Sequence, residues 1–176
     1  LTRSLHFAAR AVALAALGRP AEARAEQRAF LEARTAVAED AIFGNNRAHD
    51  LLDVADRLVE GEILYREGKK AEGIEALYEA ATREDELRYD EPPDWIQPIR
   101  HALGATLLME RRYADAESVY REDLARLPGN GWSLYGLGRA LRLQGKDDEA
   151  TQVEASFTKA WAGADTTLRS SCFCQP

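Results

Sequence analysis

No stretch of this chain alternates apolar and polar residues for more than a few positions, and β-branched residues are sparse, so strands are not expected. The longest uninterrupted apolar run, Ala11 to Leu17, is seven residues long, far short of a membrane span. Alanine, the best helix former, occurs 31 times, while glycine and proline together make 18. These breakers fall at intervals: Gly18 with Pro20, Gly68, the run Pro128-Gly129-Asn130-Gly131, and Gly145. The pattern predicts an all-α chain of helix pairs, 3–17 with 20–38, 49–67 with 70–87, 95–110 with 113–127, and 131–144 with 147–162.

The last two pairs repeat each other. Leu103-Gly104 and Leu137-Gly138 are 34 residues apart, and so are Leu107 and Leu141, and Ala116 and Ala150. Tyr120 follows Ala116 by four, Pro128 comes eight later, and Gly145 stands where the first helix of the last unit should stop. This register resembles the tetratricopeptide repeat. Two earlier units are similar to it more loosely. One carries Gly61, Leu64, Gly68, Leu77 and Ala80, with Gly73 in place of the alanine; the other carries Leu14, Gly18 and Ala23, with Arg10-Ala11 in place of Leu-Gly. The resemblance implies an α-solenoid of about four helical hairpins over 1–163, in units near 3–38, 49–87, 95–127 and 131–162. A tail, 164–176, would follow and fold back over the last hairpin. One hairpin cannot bury its apolar face alone, so stability would come from stacking. Two connections are lengthened. The stretch 36–50 contains the turn signal Gly44-Asn45-Asn46, and 83–100 holds Pro92, Pro93 and Pro98, with Asp94 as the expected N-cap of the next helix.

Composition then narrows the function. Twenty-three basic against 30 acidic side chains give a net charge of −7, which argues against nucleic acid as the partner. Cys172 and Cys174 are too few for a disulfide framework; they read as free thiols and favour a reducing, cytoplasmic setting. Leu1 is not a methionine, and the chain is expected to be part of a longer, bacterial-type protein, similar to multi-repeat proteins of unclear role.

In the tetratricopeptide family the first helix of each unit lines an inner groove. That resemblance implies groove positions at Leu5, Ala8, Val12 and Ala15 in unit one and at Leu58, Glu62 and Tyr65 in unit two. Units three and four would supply His101, and Trp132, Tyr135, Arg139 and Arg142. Trp and Tyr supply large contact area and Arg pairs with carboxylates, so a peptide or partner helix is the expected ligand; preceding repeats of the same chain are another. Trp95, in the second lengthened connection with Tyr89 and Ile96, either covers the core or touches a ligand. The basic and asparagine clamp of chaperone-binding relatives is absent, since Leu5, Ala8, Val12, Pro98 and Ala102 stand at its positions.

A different class of function is a metal- or small-ligand sensor that uses His6, His49, His101 and the Trp95 loop, with Cys172 and Cys174 as soft ligands. No cofactor is implied. Catalysis finds no support in motifs: there is no Gly-x-Ser-x-Gly, no phosphate-cradling glycine loop and no His-Glu-x-x-His. Glu60 with Glu62, and Asp147 with Asp148 and Glu149, read as solvated helix faces and first-turn charges.

Overall fold

The structure, a computed structural model, describes residues 1–173. The chain is all-helical apart from one tiny hairpin of strands. In chain order the elements are α1 (Thr2–Ala16), α2 (Pro20–Thr35), β1 (Ile42–Phe43), β2 (Asn46–Arg47), α3 (Ala48–Arg66) and α4 (Lys70–Asp85). Then follow α5 (Ile99–Met109), α6 (Tyr113–Arg126), α7 (Gly131–Leu143) and α8 (Asp147–Ala160). Among the described residues no helix is long and apolar enough to cross a membrane. The chain divides into two compact units, Leu1–Ile99 and Arg100–Pro176.

Each helix pair is closed by the same turn. Gly18, Gly68, Arg111 and Gly145 all have φ between +58° and +87°. The backbone N–H of each bonds the carbonyl three residues back, and the next N–H reaches five back: Gly18 to Ala15 and Arg19 to Leu14, Arg111 to Leu108 and Arg112 to Leu107. These bonds satisfy carbonyls that a helix end leaves bare. The residue after each turn is basic (Arg19, Lys69, Arg112, Lys146), and acids follow in the first turn of the second helix. Arg19 holds Glu22 at 2.6 Å and Arg112 holds Asp115 at 2.7 Å.

In the first unit α1 buries Ser4, Ala8, Ala11 and Ala15, a stripe of small side chains at helical spacing. Phe30, Leu52, Val59 and Ile63 complete that core, with Trp95 and Val37 packed on it. Helices α3 and α4 approach through glycine. A Cβ on Gly73 would lie 2.9 Å from the Gly61 carbonyl oxygen and 2.7 Å from the Tyr65 nitrogen. In the second unit the fully buried Tyr120 ring lies over two glycines; a Cβ on Gly104 or Gly136 would fall 2.4 or 2.2 Å from it.

The third predicted pair starts later than expected, at Ile99 rather than 95. Asp94 does not cap α5, because its carboxylate accepts from the Asn45 N–H at 3.1 Å and the Asn46 side-chain amide at 2.8 Å. The Ile99 N–H is instead capped by Glu84 at 3.0 Å. Those same bonds tie the two lengthened connections together. The first folds at its predicted turn into an antiparallel hairpin, pairing Ile42 with Arg47 and Phe43 with Asn46.

Arg111 is the one non-glycine described with positive φ, in a conformation that a side chain opposes by about 1 kcal/mol. Arg111→Gly is expected to stabilise the second unit by about 0.5–1 kcal/mol, read as a raised urea midpoint at unchanged slope.

Candidate functional site

The second unit carries a group of aromatic side chains at the start of α7, along α8 and in the segment after it. Asn130 fixes the start of α7 by accepting from the N–H groups of Trp132 (3.0 Å) and Ser133 (3.4 Å). Helical spacing then places Trp132, Tyr135, Arg139 and Arg142 on one side of α7. Trp132 meets Trp161 edge-on at 5.8 Å between ring centroids and lies 4.4 Å from Phe173. Tyr135 lies 5.6 Å from Phe157, and Phe157 stacks on Trp161 at 5.8 Å. Trp132, Tyr135, Phe157 and Trp161 are half-buried and Phe173 is exposed. Such rings combine large apolar area with defined pair geometry, the composition of protein-binding surfaces. Arg139 lies over the Tyr135 ring and bonds its hydroxyl at 3.3 Å. Among the described residues it has no carboxylate within ion-pair distance.

The segment after α8 lies on this unit. The Trp161 indole N–H donates to the Thr166 carbonyl at 2.7 Å, and Leu168, Ser171 and Cys172 are buried. Ser171 shares a 2.5 Å hydrogen bond with the Tyr120 hydroxyl, whose proton burial holds firmly, and lies 3.5 Å from the His101 carbonyl oxygen. The fold-back thus reaches α5, α6 and α7 rather than only the last hairpin. Cys172 is disulfide-bonded, so it is not the free thiol expected there; Cys174 lies outside the described residues.

Several expected binding residues are buried or already committed to other side chains. His101 stacks on Trp132 at 6.3 Å between ring centroids but is buried beneath it, with Nε2 3.5 Å from an Asp123 oxygen. The neighbouring Ser133 hydroxyl donates to Asp123 at 2.6 Å. The hydroxyl is therefore bonded to the carboxylate and not to the imidazole, unlike the relay that activates a serine nucleophile. Arg142 is exposed but committed to α8 and its turn, bonding Glu154, Asp147 and Thr151 at 2.7–3.0 Å. In the first unit Tyr65 and Glu62 are buried, and Trp95 packs on the α1–α3 core as its cover. Trp132, Tyr135 and Arg139 are the expected residues brought together near the surface.

Glu62 also corrects the reading of a solvated face. It is 1% exposed, and among the described residues neither carboxylate oxygen has a hydrogen-bond partner. Burial lifts its carboxyl to about 7, against the pull of Arg66. The histidines do not assemble a metal centre: His49 Nε2 lies 3.1 Å from the Val37 carbonyl oxygen, His6 packs edge-on to Phe7, and His101 faces Asp123. Among the described residues no group of three or more His, Cys, Asp or Glu side chains is arranged to hold a metal ion.

Phe157, Trp161 and Phe173 were not expected at the site. The i, i+4 spacing of Phe157 and Trp161 on α8 was a usable signal, but Phe173 lies beyond any periodic pattern.

A carboxyl whose folded pKa lies above its unfolded value favours the protonated folded state, so stability falls as pH rises between about 4.5 and 7. Glu62→Gln should therefore raise the melting temperature at pH 8, by a stability gain on the order of 2 kcal/mol. The gain should vanish near pH 4; melts at the two pH values check this. No protein-family model, curated protein or solved structure matches this chain.

Proposed function

We propose that this chain is a non-catalytic protein-interaction scaffold of the tetratricopeptide type, a solenoid of helical hairpins that binds a peptide segment or partner helix. The observation that carries the reading is the connected set of partly exposed rings, Trp132, Tyr135, Phe157, Trp161 and Phe173, with Arg139 at its edge. Four helix pairs closed by one recurring turn support the repeat architecture. Buried apolar area drives association, while a charge at the rim selects the partner. Arg139, ion-paired to nothing among the described residues, favours a carboxylate beside the partner's apolar side chains. The surface is also one on which a side chain from outside the helices already packs, since Phe173 lies against Trp132.

Selection from a displayed library of random short peptides is expected to enrich sequences that pair aromatic residues with Asp or Glu. A Tyr135→Ser, Arg139→Ala variant should bind the enriched peptides at least about tenfold more weakly, a loss of about 1.4 kcal/mol, with its melting temperature within a few degrees of the parent. Enrichment of nothing, or of peptides that bind the variant equally well, overturns the reading.

A further inference from the structure

In the first unit the two lengthened connections are locked to one another, and the lock is polar and specific. The Asn46 side chain, 3% exposed, accepts from the Arg88 N–H at 2.7 Å and donates to the Arg88 carbonyl at 3.1 Å and to Asp94 at 2.8 Å. Asn45 gives its backbone N–H to Asp94 and its side-chain amide to the Tyr89 carbonyl at 3.0 Å. Gly44 turns the chain at φ +57°, and a Cβ there would lie 1.9 Å from an Asp94 oxygen. Any side chain at 44 would meet both objections, so the turn and the loop are built for each other.

On this clasp sit large apolar side chains that nothing covers. Ile42 is 73% exposed, Phe43 47%, Tyr89 79% and Ile96 83%. Single exposed apolar residues are ordinary, but here four are carried by two short segments that hydrogen bonds hold in place. A fixed presentation removes ordering entropy from a binding step. The charge says what would bind. Residues 36–47 and 84–98 contain eight carboxylates and two arginines, a net charge of −6 where the whole chain carries −7. Nucleic acid and anionic lipid would be repelled, and so would the same face of a second copy.

We propose that this clasp is a docking surface for a basic, apolar segment of another protein, one whose Leu- or Phe-like side chains are flanked by Lys or Arg. Its apolar contacts fall on Ile42, Tyr89 and Ile96, and the acids of the same two segments select the sign of the partner. Phe43, adjacent to Ile42 in β1, projects to the other side of the hairpin. The clasp belongs to the first unit, whereas the aromatic surface belongs to the second, and it selects for opposite charge.

The test uses the full chain and two short synthetic peptides of identical pattern, one built from Leu and Lys, the other from Leu and Glu. Fluorescence anisotropy at physiological salt is expected to show binding of the Leu/Lys peptide and none of the Leu/Glu peptide. Ile42→Ser with Ile96→Ser removes only exposed apolar surface, so it should leave the melting temperature unchanged and weaken the Leu/Lys peptide at least about tenfold. Asn46→Ala, which opens the clasp, should weaken it as well. The Tyr135→Ser, Arg139→Ala variant should bind it like the parent, which separates this surface from the one in the second unit. Equal affinity of the parent and the double serine variant would mean mere charge attraction and overturn the proposal. Absence of Leu/Lys binding would overturn it too, as would self-association abolished by the serine substitutions.

Discussion

Two nested backbone hydrogen bonds at a left-handed residue set the geometry of each helix pair. They occur at Gly18, Gly68, Arg111 and Gly145, and each time they reverse the chain within three residues. A turn that short leaves the second helix no choice but to lie antiparallel against the first. Side chains must then be small where the backbones come closest. Gly61 opposite Gly73, and the small stripe of α1, meet that requirement in the first unit; Gly104 and Gly136 leave room for Tyr120 in the second. The turn fixes the direction, and the small residues fix the distance.

Close packing also explains why so many polar residues are not available to a partner. Glu62, His101, Asp123 and Ser133 are all buried, and they fare differently. Asp123 accepts a hydrogen bond from the Ser133 hydroxyl and lies beside the His101 imidazole. Among the described residues Glu62 has neither oxygen bonded, and burial favours the protonated carboxyl. Exposed charges behave in the ordinary way. Arg142 spreads over Asp147, Thr151 and Glu154, and Arg24 bridges Glu60 and Glu67, which tie helices together at modest energetic value.

The two units carry different kinds of surface. The second offers half-exposed rings with a cation at the edge, assembled from α7, α8 and the segment that follows. The first offers aliphatic and aromatic side chains on a hydrogen-bonded clasp of two acid-rich segments. Neither surface comes from a sequence motif. The first is carried by the connections between helix pairs, whereas the second is carried by α7, the end of α8 and the segment that follows it.

Much of the architecture was legible beforehand. The spacing of Gly18, Gly68 and Gly145 located three of the four turns, and alanine-rich amphipathic stretches located the helices to within a few residues. These properties are local: a left-handed turn needs glycine, and a helix needs its breakers kept out. The groove positions transferred by register fared worse. Trp132, Tyr135 and Arg139 do lie together near the surface, whereas Glu62, Tyr65 and His101 are buried and Trp95 covers a core. Repeat register says which side of a helix a residue occupies, not what comes to lie on that side. The Asn46–Arg88 clasp joins residues 42 apart, and the Ser171–Tyr120 contact joins residues 51 apart. Such pairings depend on where distant chain arrives after the helices have packed. The sequence by itself determined the helices and their turns, because those are short-range choices of backbone and side chain. Only the tertiary structure decided which polar groups would be buried and which apolar ones left in water, because that depends on segments no local pattern connects.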